Sequence, residues 1–286
     1  MSIQSSIQRL LWRSLEARAQ QPDEAFWPQK AVVFAPHQDD ETLGCGGTII
    51  GKRARNAHVS VVFMTDGRRS HAGLIPEADL IARRADEALA ACRTLGVAAE
   101  DVTFLDLTDG RVTEQKETAV PPIVKLLTDL RPEQVFIPYR HEPPPDHYST
   151  THAVLAALQQ VGHPAAIYEY PVWAWYHWPW VGLGQNALGD RRAILKNTLT
   201  MRSGLRLLAD FRYSVNISDS VDQKRAALAE HKTQMSRLLP DAHWLTLADV
   251  SDGEWLECFF RGKELFHHYP FSGNGPTPPT PGDAAI

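Results

Sequence analysis

Five short apolar runs are spaced through the first 170 residues, at 31–35, 59–64, 102–105, 135–137 and 166–170. Each is nearly uninterrupted rather than alternating, as a strand covered on both faces requires. Between them lie stretches with helical spacing of apolar positions, at 43–57, 81–95, 120–130 and 151–160. Gly96 marks the stop of the second. The alternation predicts an α/β fold: a Rossmann-like, mainly parallel sheet with helices on both faces.

The flanks read differently. Ile3, Ile7, Leu10, Leu11 and Leu15 recur at helical spacing, so residues 1–29 are expected to form an amphipathic surface helix followed by a Pro-containing connector. Residues 30–271 are expected to form a single domain whose C-terminal portion is irregular and aromatic-rich. Within it, 202–217 is a strand candidate, 221–239 a helix, and 255–269 a last element. Residues 272–286 are rich in Pro and Gly and read as disordered. The chain has no internal repeat.

Composition narrows the function. A formal charge of -5 with no dense Lys/Arg block argues against a nucleic-acid binder working by phosphate neutralisation. Cys45, Cys92 and Cys258 form no CxxC pair, which points to a reducing, cytoplasmic setting. The N-terminus lacks a secretory apolar core, and no apolar run is long enough to span a bilayer.

The chemistry concentrates where the first strand ends, in VVFAPHQDDETLGCGGTI, residues 32–49. Its glycines do not make a dinucleotide loop, because the position that the third glycine would occupy is Ile49. No Gly-Lys-Ser/Thr follows for a phosphate loop. Asp39, Asp40 and Glu41 would also repel phosphate. A metal site fits better. Strand ends at the carboxyl edge of an α/β sheet form its working face. If the chain turns into a helix near His37, then His37 and Asp40 share one side and Asp39 points elsewhere, free to take a proton from water. Imidazole plus carboxylate suits Zn²⁺, although acids at a helix N-terminus also suit its dipole. A third ligand is needed. The segment PYRHEPPPDHYSTTH, after the fourth strand, offers His141, Asp146, His147 and His152.

PHQDDE followed about a hundred residues later by PDH resembles the LmbE-like (PIG-L) N-deacetylases. TDG at 65–67, RADEA at 84–88, LTDG at 107–110 and KRAALAEHKTQ at 224–234 extend the likeness over roughly residues 31–234. The resemblance implies one zinc ion on His37, Asp40 and His147, with Asp39 as general base for a metal-bound water. Another divalent ion, such as iron(II) or cobalt, suits the same ligands. It also implies that Asp146 orients a neighbouring group and that Arg84 and Asp109 lie near the substrate. The implied substrate is an N-acetylglucosamine-type sugar or conjugate, lipid-linked conjugates included.

Two departures stand out. Where the family reads His-Pro-Asp-His, this chain has Pro144-Pro145-Asp146-His147, so His141 or His231 would have to replace the missing imidazole. Arg68 follows Thr-Asp-Gly where an acid is usual, and would favour an anionic substrate group. Trp175 and its neighbours Trp173, Trp178 and Trp180 offer faces for a sugar or acyl chain, or for core packing or an oligomer contact. The alternatives are an amidase for a larger N-acyl group, or a metal-binding protein with little hydrolase activity because of Pro144.

Overall fold

The computed structural model describes residues 3–183, 191–239 and 243–273. Helix α1 spans Ile3–Arg18. The alternating region follows as β1 (Ala31–Ala35), α2 (Asp40–Arg53), β2 (Val59–Thr65), α3 (Glu77–Thr94), β3 (Val102–Leu107), α4 (Lys116–Leu130), β4 (Gln134–Pro138), α5 (Pro145–Val161) and β5 (Ala165–Tyr170). The remainder comprises α6 (Arg191–Thr200), α7 (Leu205–Asp210), β6 (Tyr213–Asn216), α8 (Val221–Ala229), α9 (Lys232–Met235), α10 (Glu254–Glu257) and β7 (Lys263–Phe271).

The seven strands lie in the order β3-β2-β1-β4-β5-β7-β6. β1 to β5 run parallel, and β7 pairs antiparallel with both β5 and β6. Successive strand residues face opposite sides. Val33, Phe63 and Phe136 pack into one core with α2, α3 and the aromatic C-terminal segments. Val32, Val62 and Val135 pack into another with α4 and α5. The strand order reverses between β1 and β4. In such sheets the crevice for a ligand opens outside the carboxyl ends of the strands at this point. His37 follows β1 and His147 follows β4, so the topology delivers both to one crevice.

Helix α2 reaches this crevice because its glycines let it press against its neighbours. A Cβ at Gly44 would enter the Tyr170 ring, and one at Gly47 would collide with Ile217. A buried ion pair braces the same helix. Lys224 Nζ donates to Leu43 O (2.8 Å) and to Glu264 Oε1 (2.8 Å), while Glu264 accepts from the Gly47 and Thr48 N–H groups.

Several expectations need correction. In α1 the buried side chains are Trp12 and Leu15, while Ile3 and Leu10 are exposed. The strand candidate at 202–217 is half helix: α7 precedes the short β6. The helix expected over 221–239 breaks between α8 and α9, where His231 takes a non-helical ψ of 65°. Its imidazole turns inward to Glu41, and Glu87 binds the N–H and hydroxyl of Thr233. The tail expectation lies outside the described residues from 274 onward. No described helix is long and apolar enough to cross a membrane.

Candidate metal centre and its cleft

Chain direction changes sharply after β1. Asp39 adopts φ 147° and ψ -28°, a region that side-chain-bearing residues avoid, and α2 starts at the next residue. This turn separates the two adjacent carboxylates. Asp40 lies in the first turn of α2 and its Oδ2 accepts from the His37 backbone N–H (3.0 Å). Asp40 Oδ2 is also 3.3 Å from His37 Nδ1 and 3.4 Å from His147 Nε2. His147 sits in the first turn of α5, not on a loop, and is fully buried.

His37 reaches a second group through its other nitrogen. Nε2 is 3.4 Å from Asp109 Oδ1 and 3.5 Å from Asp146 Oδ2. Two donor sets therefore share His37: His37, Asp40 and His147, and His37, Asp109 and Asp146. In each, the ligand atoms lie within 4.8 Å of one another. The second set is already occupied by the protein. Asp146 accepts from the N–H groups of Gly110 (2.6 Å) and Val112 (3.2 Å), and Asp109 from that of Arg69 (2.9 Å). These carboxylates suit an Nε2–H donor and leave Nδ1 as the nitrogen that faces Asp40.

The first set fits a cation. Neither nitrogen of the buried His147 has a hydrogen-bond partner, and leaving such atoms unsatisfied is costly. Burial and then the neighbouring His37 push the His147 imidazole well below its ordinary pKa, so it is neutral as a ligand must be. Burial also opposes charge on His37, but Asp109, Asp146 and Asp40 outweigh it and hold its pKa well above the ordinary value. A cation binding at Nδ1 must displace a proton there.

Asp39 stands beside this set. Its carboxylate accepts from Gln234 Nε2 (3.1 Å) and lies 3.7 Å from Arg84 Nη2. Burial first, then the charge of Asp40, push its carboxyl up to about 6; Arg84, His231 and His37 restrain the rise. Its N–H donates to Glu41 Oε2, and Glu41 Oε1 meets His231 Nε2 at 2.9 Å. Burial opposes charge on both partners of that pair, yet each keeps the other ionised. Three polar residues of the late helical motif thus serve α2 and its turn: Lys224 holds Leu43, His231 holds Glu41 and Gln234 holds Asp39.

A cleft of about 480 Å³ opens over His37, Asp39 and Asp40. Of the residues singled out from sequence, Arg84, Asp109 and Pro144 also line it. Four others do not. Arg68 is bound to Asp66 (2.7 Å) and Glu77 (2.8 Å), and its neighbour Arg69 lines the cleft instead. Trp175 is buried against Trp12 and Trp180, and Trp173 lines the cleft instead. His141 packs on the Tyr139 ring, with Arg206 and Asp210 as its charged surroundings. His231 faces Glu41, behind Asp39. Asp146 meets His37 from below without lining the cleft.

Other residues escaped the sequence reading. Glu142 is buried, accepts from the N–H groups of Val172, Trp173 and Ala174 at 2.6–2.9 Å, and its Oε2 lies 3.4 Å from His147 Nδ1. Burial pushes its carboxyl up to about 8 against the pull of those donors. Trp255 stacks on Trp173 (4.7 Å, 23°) and donates through Nε1 to Val172 O. His71 stacks on Trp244 (4.2 Å) and bonds Leu245 O. An acid among prolines was the only local signal for Glu142. The aromatic contacts left no periodic trace.

Residues 32–158 match the family described as PIG-L, GlcNAc-PI de-N-acetylase. A 1D-myo-inositol 2-acetamido-2-deoxy-alpha-D-glucopyranoside deacetylase of Mycobacterium sp. (strain KMS) is 29% identical over 247 residues, 73% of this chain and 75% of the relative. The structure of N,N'-diacetylchitobiose deacetylase from Pyrococcus horikoshii superposes with a TM-score of 0.61 at 21% identity, over 96% of this chain and 94% of that one. The 4-carboxy-2-hydroxymuconate hydratase of Pseudomonas putida KT2440 superposes with a TM-score of 0.53 at 19% identity, over 82% and 83%. A deacetylase and a hydratase on one fold leave the chemistry to the site.

Proposed function

We propose, on the match of residues 32–158 to the PIG-L (LmbE-like) family, that this chain is a metal-dependent N-deacetylase of N-acetylglucosamine-type sugars or their conjugates. The observation that carries the reading is the buried, unpartnered imidazole of His147 facing Asp40 and His37 beside a separate carboxylate, Asp39. Two imidazoles and one carboxylate are a donor set for Zn²⁺ with a position left open for reaction. We assign zinc to His37, Asp40 and His147. When bound, it supplies Lewis acidity toward a carbonyl and lowers the pKa of water.

The chain's own residues divide the remaining work. Water attacks the acyl carbon, and Asp39 accepts its proton; a carboxylate raised to about 6 is matched to that task near neutrality. Collapse of the tetrahedral adduct breaks the C–N bond, and the proton on Asp39 passes to the departing nitrogen, giving a carboxylic acid and an amine. Gln234 and Arg84 hold Asp39 in place. Asp109 and Asp146 fix the His37 ring. Pro144 offers no N–H, and neither His141 nor His231 replaces it. Asp39 therefore serves both proton transfers. Asp109, Arg69 and His71 present polar groups on the β2 and β3 side of the cleft, where sugar hydroxyls find partners. We place the enzyme in the cytoplasm, which suits three buried, unpaired cysteines.

The test is amine release from a panel of N-acetylated sugars. Turnover should vanish with a chelator and return with Zn²⁺. Absence of turnover on every amide, with metal bound, overturns the reading.

A further inference from the structure

The cleft has two unlike sides, set by strand order. Loops after β1, β2 and β3 supply His37, Asp39, Arg69, His71 and Asp109 on one side of the switch point. Across it, the segment after β5 supplies Val172 and Trp173, and the segment before β7 supplies Leu247, Val250 and Trp255. Leu43, one turn along α2 from Asp40, joins that apolar wall at the metal ligands.

The wall is built rather than incidental. Trp173 and Trp255 stack, and the Trp255 indole N–H is held by Val172 O. Glu142 fixes the N–H groups of Val172, Trp173 and Ala174. A Thr246–Asp249 capping box shapes the stretch that carries Leu247 and Val250. The apolar side chains are thus held in position, as a pre-formed binding surface requires.

An amide carries one substituent on its carbonyl carbon and one on its nitrogen. A sugar on the nitrogen needs hydrogen-bond partners, and burying its hydroxyls against Trp and Leu would leave them unsatisfied. It belongs on the polar side. The acyl substituent then faces Trp173, Leu247 and Val250, backed by the buried Trp255 and Val172. A methyl group touches little of such a wall.

We propose that the acyl pocket of this enzyme accepts chains longer than acetyl, so that its preferred substrates are medium-chain N-acyl amino sugars. The proposal rests on the amide-hydrolase reading and extends its acyl group beyond acetyl. Each methylene buried on the wall adds apolar stabilisation, and two to four of them should raise specificity at least tenfold.

The experiment compares kcat/KM for N-acetyl-, N-butyryl-, N-hexanoyl- and N-octanoylglucosamine with zinc-loaded enzyme, with phenyl and octyl glycosides of N-acetylglucosamine as the second arm. Calorimetry of acetate and hexanoate binding adds a readout independent of turnover. The expected result is at least a tenfold gain from N-acetyl to N-hexanoyl and tighter binding of hexanoate than acetate. Trp173→Ala, checked for zinc content, should lower the hexanoyl-to-acetyl ratio at least fivefold. Turnover that peaks at N-acetyl overturns the proposal and leaves the hydrolase reading intact. A gain confined to the glycosides also overturns it, because the wall would then serve the aglycone. No turnover on any amide overturns the hydrolase reading itself.

Discussion

On the polar floor of the cleft, the groups that meet His37 sit at regular places: Asp40, Asp146 and His147 in first helical turns, and Asp109 just beyond the end of β3. On the apolar wall, Trp173 and Trp255 sit in a three-residue turn and a four-residue helix, and Leu247 and Val250 in a stretch containing three residues at positive φ, Ser251, Asp252 and Gly253. Both sides line the same cleft. One is placed by the sheet, the other by side-chain contacts between segments distant in the chain. Functional precision therefore does not require regular structure, provided that buried hydrogen bonds hold the backbone.

Removing groups from each side tests that contrast. The largest effects belong to the floor. His147→Ala should abolish zinc retention, measured by metal analysis after dialysis, and activity with it; full occupancy would contradict the ligand assignment. Asp39→Asn should retain zinc but lose kcat on the order of a thousandfold. Wild-type turnover in that variant would remove Asp39 from the mechanism.

Glu142→Gln should weaken zinc affinity about 10- to 100-fold, the range seen when groups supporting metal ligands are lost. It should also loosen the wall, because an amide NH₂ cannot accept from the N–H groups of residues 172–174. An unaltered affinity in a competition titration would separate the two sides that Glu142 joins.

A test that reads stability, with no direct effect on the chemistry, lies behind the wall. His177 is fully buried with Nδ1 on Ala174 O, and burial lowers its pKa to about 4. An unfolded chain binds this proton below about pH 6.5, whereas the folded chain resists it until about pH 4. The associated stability is complete above pH 6.5 and is lost as pH falls toward 4, by about 3 kcal/mol. His177→Asn removes this contribution, so the stability difference between variant and wild type should change across that window in urea titrations. Parallel pH profiles would refute it.

The floor was largely legible in the sequence and the wall was not, for physical reasons. Uninterrupted apolar runs revealed β1 to β5, and strand ends in an α/β sheet converge on one edge, so PHQDDE and PDH could be brought together without coordinates. Two choices fell one or two residues from the side chain that lines the cleft: Arg68 beside Arg69, and Trp175 two positions from Trp173. Both pairs lie in turns, where no period fixes which neighbour faces the ligand. The break at His231 was hidden because Val221 to Leu239 has helical composition throughout. Buried contacts distant in sequence hold the chain there: His231 on Glu41, 190 residues away, and Thr233 on Glu87. Glu142 escaped because its partners are backbone amides, which carry no residue signature.

That last feature has an evolutionary reading. Glu142 grips the segment 172–174 through main-chain groups that every residue but proline possesses. Side chains there can be exchanged without releasing the anchor that neighbours His147. Selectivity for one acyl length over another can therefore drift by single substitutions while the hydrolytic apparatus stays put.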